Sequence, residues 1–155
     1  MDKAAKYATL KAQIRSLIEG ETNRVGVLAN VAAAMKEVFP EEFFWVGFYL
    51  VAEEELQLGP FQGSVACMHI AKGRGVCGTA WEKDCTLIVP DVELFDGHIA
   101  CSSLSRSEIV VPIHHALSGE VIGVIDIDST SLNTFDKTDG ENLEEIAKIL
   151  GERVG

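Results

Sequence analysis

The chain has 155 residues, of which 47% are hydrophobic, and its 13 basic and 24 acidic side chains give a formal net charge of −11. This size predicts one domain, which we take as residues 1–155. The negative charge would repel phosphate backbones and anionic membranes, which argues against nucleic-acid and membrane binding. No apolar run reaches the roughly 18 residues of a membrane span, and the first residues lack a signal-peptide core. We therefore expect a cytoplasmic protein.

Helices are predicted near both ends of the chain. Apolar residues at spacings of three and four predict an amphipathic helix over residues 4–19. Thr22 can cap a second helix that ends before Pro40, with Val25 among its inward residues. Asp136 can cap a final helix at the C-terminal end.

Between these helices, short runs of β-branched and aromatic residues predict strands. A polar loop is expected at 59–63, and a short helix is expected near 78–84. Helices that flank mainly hairpin-linked strands predict an α+β fold, with a mainly antiparallel sheet and the terminal helices on one of its faces. The predicted strands cover residues 43–51, 56–58, 65–70, 86–89, 107–115 and 120–128.

Alternation along the strands places polar residues on the face away from these helices. If the apolar sides align, two aromatic rings and three carboxylates meet on the other face. Singly, each has a plainer explanation, because aromatic residues mostly pack and aspartates often cap turns. Together they predict a pocket for a small molecule with a cation and an apolar tail, in which one carboxyl stays protonated near neutral pH. These residues are Trp45, Tyr49, Glu108, Asp126 and Asp128.

Three cysteines, Cys67, Cys77 and Cys101, lie among small residues in the glycine-rich middle of the chain. In a reducing compartment, thiols are mostly redox-active, metal-binding or buried and inert. Spacings of 10 and 24 residues match no zinc pattern, so no metal is expected. The loops before Cys67 and Cys101 favour a redox role over inert burial, because loops let two sulfurs meet and separate. Cys85 and His98 are expected to be an incidental turn cysteine and an ordinary loop histidine.

Eight segments of the chain carry recognisable motifs, and those around Cys77 and Cys101 are the most specific. The segments are WVGFY (45–49), GPFQG (59–63), AC (66–67), GRGVCGTA (73–80), PDV (90–92), FDGHIAC (95–101), SEIVVP (107–112) and GVIDIDS (123–129). In this order they resemble the free methionine-(R)-sulfoxide reductases, which are enzymes made of a single GAF domain. The likeness extends from about residue 7 to residue 150.

The resemblance implies roles for the cysteines. Cys101 would attack the sulfoxide sulfur and become a sulfenic acid, and Cys67 would then resolve it as a disulfide. Cys77 would be an additional or alternative partner. A thioredoxin-type dithiol would restore the enzyme, no cofactor or metal would be needed, and the protein would be a homodimer.

The pocket residues fit the same chemistry. A protonated carboxyl, which we take as Glu108 or one of Asp126 and Asp128, would protonate the sulfoxide oxygen. A carboxylate would bind the α-ammonium group that free methionine sulfoxide carries. Trp45 and Tyr49 would pack against its methyl and methylene groups.

Two other functions fit parts of this pattern. A non-catalytic GAF sensor of a small ligand would share the fold, but it needs no ordered cysteines and usually belongs to a longer signalling chain. A thiol peroxidase would share the sulfenic acid and disulfide cycle, but a pocket with aromatic rings and carboxylates is superfluous for peroxide.

Overall fold

The computed structural model describes residues 1–98 and 101–155, and six strands in these residues form one antiparallel sheet. The strand order across the sheet is β3-β2-β1-β6-β5-β4. In chain order the elements are α1 (Lys3–Ile18), α2 (Arg24–Val38), β1 (Trp45–Ala52), β2 (Glu55–Gln62), β3 (His69–Ala71), α3 (Gly75–Lys83), β4 (Leu87–Val89), a 3-10 helix (Val92–Leu94), β5 (Ser107–His114), β6 (Val121–Ser129) and α4 (Lys137–Val154).

Helices α1, α2 and α4 cover one face of the sheet and form the larger core with it. The N-terminus of α4 is fixed by a capping box between Asp136 and Asp139, so the predicted cap is confirmed. The Tyr7 hydroxyl donates a 2.6 Å hydrogen bond to Asp139, which ties α1 to α4 inside the core. Within the described residues, no helix has both the length and the apolar character needed to cross a membrane.

The start of α2 differs from the sequence-based expectation by one residue. Asn23, rather than Thr22, is the N-cap, and its side chain accepts a 3.0 Å hydrogen bond from the Gly26 amide. This shift turns Val25 outward, where it is 67% exposed, so its predicted inward position is wrong. The buried stripe begins instead at Val27 and Leu28.

The second strand is longer than predicted, and the third is shorter. β2 includes residues 59–62, so the predicted loop at 59–63 is mostly strand. Gly59 and Pro60 of β2 lie opposite Phe48 alone, and this bulge accommodates Pro60, which cannot donate to the ladder. Pairing of β3 begins only at His69, so the preceding residues 65–68 form a loop rather than the predicted strand.

The second face of the sheet carries α3 and loops, packed around a smaller cluster of buried residues. α3 spans Gly75–Lys83, three residues earlier at its start than predicted, and packs near β3, β5 and β6. The observed α+β architecture confirms the predicted antiparallel sheet, with the terminal helices on one face and a loop-lined pocket on the other.

Candidate active site

Three carboxylates lie at neighbouring positions on the second face of the sheet. Glu108 in β5 pairs directly with Asp128 in β6, and Trp45 in β1 pairs with Asp128 from the other side. Asp126 lies two residues before Asp128 and pairs with Gly47, which has no side chain to cover it. Because strand residues alternate between faces, all three carboxylates point to the same side as Trp45. The predicted convergence is therefore present.

The two aromatic rings both line the pocket and hold its wall in place. Trp45 and Tyr49 stack with ring centroids 6.0 Å apart. The Trp45 indole N–H donates to the Ser64 carbonyl, and the Tyr49 hydroxyl donates to the Cys67 carbonyl, each at 2.9 Å. Burial raises the pKa of Tyr49 well above its usual value, so the hydroxyl keeps its proton and remains a donor. Both rings thus position the 63–68 loop.

These side chains surround a concave pocket of about 540 Å³, measured out to its open mouth. The enclosed cavity is only about 40 Å³, and the rest of this space is open to solvent. The lining contains all eight side chains predicted for the site except Cys67, whose neighbour Ala66 lines the pocket instead. It also includes Arg74, His98 and Ser102, to which the sequence analysis gave no binding role.

A disulfide joins Cys67 to Cys101 at this pocket, with the two Cα atoms 5.7 Å apart. Cys101 is exposed, and Cys67 is half-buried. This pairing is the one that the family resemblance implies. The other two cysteines carry free thiols, Cys77 buried and Cys85 exposed.

Cys77 is more enclosed than its small neighbours suggested, with 4% of its surface exposed. Its sulfur and one carboxyl oxygen each from Glu108 and Asp126 lie within 4.8 Å of one another. Burial, and then the charges of Asp126 and Glu108, raise the pKa of this thiol. A thiol that holds its proton is a poor nucleophile, so this setting does not favour attack by Cys77. Among the described residues, the side chains of Cys77, Glu108 and Asp126 are the group close enough together to ligate a metal ion.

Burial is the main cause of a raised pKa at all three carboxyls. The charge of Asp126 raises the pKa of Glu108 and Asp128 further. At Asp126, contacts with Glu108 and Cys77 partly oppose the effect of burial. The cluster therefore retains a proton near neutral pH, and Asp126 is the member most readily ionised.

Asp126, which lines the pocket, also has one unsatisfied atom. Its Oδ1 is buried and has no hydrogen-bond partner among the described residues, although the residue is only 6% exposed. Buried polar atoms nearly always have a partner, so this oxygen is available to accept a hydrogen bond from a bound water or a ligand group.

His98 lies in the pocket lining, where the sequence analysis expected an ordinary loop histidine. Its Nε2 is 3.9 Å from Glu108 Oε1. Burial lowers the pKa of the imidazole, which favours its neutral form. Its place three residues before Cys101 is the sequence signal that could have identified it. Residues 99 and 100 of the same motif lie outside the described residues.

The glycines of the 73–78 segment bring the start of α3 against the pocket. Gly75, the first residue of α3, has a φ of +61°, a conformation that other residues rarely adopt. A Cβ at Gly78 would lie 2.4 Å from the Ala71 carbonyl oxygen, so only glycine allows this close approach. The turn before α3 therefore depends on both glycines.

Known proteins share this sequence and fold. The GAF domain family matches residues 21–152. The chain is 58% identical to GAF domain-containing protein A of Dictyostelium discoideum, over 96% of this chain and 92% of that protein. It is 43% identical to the free methionine-R-sulfoxide reductase of Escherichia coli, over 97% of this chain and 89% of that protein.

Among solved structures, the free methionine-R-sulfoxide reductase of Neisseria meningitidis in complex with its substrate superposes with a TM-score of 0.95. It is 54% identical, and the match covers 99% of this chain and 91% of that one. The chain therefore belongs to the GAF domain family and, within it, to the free methionine-R-sulfoxide reductases.

Proposed function

We propose that this protein, acting as one GAF domain over residues 1–155, reduces free L-methionine-(R)-sulfoxide to methionine through a cysteine sulfenic acid and disulfide cycle. The observation that carries this proposal is the Cys67–Cys101 disulfide beside a pocket with carboxyls of raised pKa. The pocket thus offers both a redox pair and a proton source. The names of the relatives, one of them solved with its substrate, support the same activity.

In the first step, the Cys101 thiolate attacks the sulfoxide sulfur. The protonated Glu108 carboxyl gives its proton to the sulfoxide oxygen, which moves to Cys101 as a hydroxyl group while methionine leaves. Cys101 is thereby oxidised to a sulfenic acid, and the sulfoxide is reduced. Glu108 suits the donor role because burial and two neighbouring carboxylates hold its pKa high.

In the second step, the Cys67 sulfur attacks the Cys101 sulfenic acid. The S–S bond forms as the hydroxyl group leaves with the Cys67 proton as water. The Tyr49 hydrogen bond to the Cys67 carbonyl helps to position this loop for the step. Cys77 stays outside this pair because its sulfur is buried and keeps its proton.

The substrate's apolar part would pack between Trp45 and Tyr49, which stack along one wall of the pocket. Its α-ammonium group would bind an ionised carboxylate of the cluster, Asp126 or Asp128. A methionine sulfoxide residue inside a peptide has no such ammonium group, so this contact favours the free amino acid.

Regeneration requires an external dithiol, and we propose a protein of the thioredoxin type in the cytoplasm. Exposed Cys101 is open to attack by such a dithiol, which would leave two thiols here and carry away the disulfide. We also propose a homodimer that forms through the N-terminal helices, where exposed Leu17 and Val25 are apolar contact candidates. Size-exclusion chromatography with light-scattering detection would measure the molar mass in solution and so test the dimer.

One assay tests the activity. NADPH consumption coupled through thioredoxin reductase and thioredoxin is followed with resolved R and S free methionine sulfoxide, with a peptide-bound sulfoxide, and with hydrogen peroxide. We expect turnover with the free R form. Turnover with peroxide alone would indicate a thiol peroxidase, and binding without any turnover would indicate a sensor.

A further inference from the structure

Exposed apolar side chains flank the Cys67–Cys101 disulfide on both sides. We propose that this apolar rim, formed by Val65, Met68 and Leu104, is the docking surface for the dithiol protein that reduces the disulfide. The inference rests on the proposed function and deepens it, because it assigns the reductant a contact surface at the mouth of the pocket. It requires a partner whose reactive thiol lies in an apolar, uncharged part of its own surface.

The first support is the exposure of these side chains and their distance from the disulfide. Val65, Met68 and Leu104 expose 89%, 62% and 59% of their surface. Val65 and Met68 lie within two residues of Cys67, and Leu104 lies three residues after Cys101. Since a chain advances at most about 3.6 Å per residue, each of their Cα atoms is within about 11 Å of a Cα atom of the disulfide. Single exposed apolar residues are common, but three around one disulfide form a patch of the kind that marks a contact site.

The second support is the backbone behind the apolar rim, which is held by hydrogen bonds. The Leu58 amide donates a 3.0 Å hydrogen bond to the Met68 carbonyl. Hydrogen bonds from the two aromatic rings of the pocket also hold the 63–68 loop. On the other side of the disulfide, the Leu104 amide donates to the Ser102 hydroxyl at 3.2 Å. A surface that is already ordered loses less conformational entropy when a partner binds.

The third support is the lack of charge around both cysteines in a strongly acidic chain. The formal net charge is −11, yet residues 56–71 and residues 97–105 contain no Asp, Glu, Lys or Arg. The first charged side chains after these two runs are basic, Lys72 and Arg106, and both are exposed. Contact at the apolar rim therefore removes no charged group of these runs from water, and the negative charge of the chain is not concentrated there.

Docking at the apolar rim brings a thiolate of the partner to the exposed sulfur of Cys101. The thiolate attacks this sulfur, the Cys67–Cys101 bond breaks, and Cys67 leaves as a thiolate that takes up a proton. The partner's second thiolate then attacks the partner sulfur of the mixed disulfide, and Cys101 leaves and is protonated. Two electrons have passed to this protein, and the partner keeps the new disulfide. Transient redox complexes bury roughly 1,200 Å² or less, so a small apolar rim is enough for the centre of such a contact.

The test measures reduction of the disulfide itself, with no sulfoxide present. Protein that carries the Cys67–Cys101 disulfide is mixed with reduced thioredoxin, and alkylation followed by mass spectrometry counts its free thiols over time. The variants are Met68→Gln, Leu104→Asn and the double variant, because neither residue lines the substrate pocket. Leu117→Asn is the matched control, since Leu117 is even more exposed and follows the end of β5, whereas Leu104 precedes its start.

We expect each single variant to lower the second-order rate constant with thioredoxin roughly 3- to 10-fold, and the double variant roughly 10- to 100-fold, because a few central apolar contacts dominate such interfaces. The loss should persist at high ionic strength, since salt screens charged contacts and not apolar ones. Reduction by dithiothreitol, which is too small to need the apolar rim, should be unchanged in all variants. Leu117→Asn should match the wild type with both reductants.

Three results would overturn the docking surface. The first is a double variant that thioredoxin reduces as fast as the wild type, and the second is a loss that disappears at high ionic strength. The third is an equal loss with dithiothreitol, which would mean a disturbed disulfide. A wild-type disulfide that thioredoxin does not reduce also rejects it. If the wild type reduces no free sulfoxide even with dithiothreitol, the proposed function fails, and the reduction rates with thioredoxin still decide the docking surface.

Discussion

Phe48 and Tyr49 are neighbours in β1, yet they face opposite layers of the molecule. Phe48 belongs to the larger core under α1, α2 and α4, where it is fully buried. Tyr49 belongs to the smaller cluster beside the pocket, where its hydroxyl holds the loop that carries Cys67. The same strand thus contributes to stability with one residue and to the site with the next.

The two faces also differ in how their buried carboxyl groups are compensated. Within the larger core, Tyr7 and Asp139 satisfy each other through a direct hydrogen bond. On the pocket face, three buried carboxyls crowd together, and one oxygen of Asp126 has no partner among the described residues. Glu42 Oε2, beside the larger core, is also buried without a partner among the described residues. The contrast therefore lies in the crowding of three carboxyls around the pocket, which lowers stability and indicates a requirement of function rather than of folding.

The largest effect should come from the exposed sulfur at the pocket. Cys101→Ser should abolish turnover, because a serine hydroxyl cannot accept the sulfoxide oxygen and then form a disulfide. Cys85→Ser is the control, since Cys85 is also exposed but carries a free thiol away from this pocket. Mass spectrometry of the wild type after substrate addition should show Cys101 oxidised. An unmodified Cys101 thiol in folded protein would reject the mechanism.

Glu108→Gln should lower the rate by roughly 10²- to 10⁴-fold, the usual contribution of a general acid. Glutamine keeps the size of the side chain but cannot give up a proton to the sulfoxide oxygen. Single-turnover kinetics would measure the chemical step directly. Glu93→Gln, at an exposed position of the 3-10 helix, should leave the rate unchanged. Equal rates in both variants would assign the proton to another group.

Phe48→Ala tests the other face, and it should lower the free energy of unfolding by about 3–5 kcal/mol. Phe48 is fully buried in the larger core, so its loss leaves a cavity under the helices. Leu94→Ala is the control, because Leu94 is 84% exposed. Urea denaturation would measure both. A loss below about 1 kcal/mol at Phe48 would mean that the core repacks.

These two faces were not equally predictable from the sequence. Alternation with a period of two assigned Glu108 and Asp126 to the polar face, because that pattern depends only on local geometry. Sequence reasoning missed the pocket positions of Arg74 and His98, which depend on how the 72–75 turn and the 95–98 segment fold over the sheet. The direction of that turn rests on the positive φ of Gly75, which the glycine-rich motif suggests but does not specify.

The helix caps also differ in how far local sequence predicts them. Asp136 was identified as a cap because an aspartate there starts a clear amphipathic run. At α2, Thr22 and Asn23 are both good caps, and local preference alone does not choose between them. Packing of Val27 and Leu28 into the core decides for Asn23.

The smallest expected effect concerns the stability of the pocket face and its dependence on pH. In the unfolded chain Glu108 should ionise near pH 4.3, roughly the value of a free glutamate. In the folded protein its pKa is higher, because burial and then the charges of Asp126 and Asp128 oppose ionisation. Above pH 4.3 the unfolded chain therefore releases a proton that the folded protein retains, so this residue's contribution to stability falls as the pH rises.

Glu108→Gln removes this ionisation, and the variant should be more stable than the wild type at pH 7–8. The difference should vanish below about pH 4, where the wild-type carboxyl is protonated in both states. Thermal unfolding of the reduced proteins between pH 4 and pH 8 would measure this stability difference. Glu93→Gln should have the same pH dependence as the wild type. A variant that is slow in catalysis yet more stable would mean that the pocket face gives up stability for reactivity. A Glu108→Gln protein that is less stable at pH 8 would instead mean that the carboxylate is well solvated where it lies.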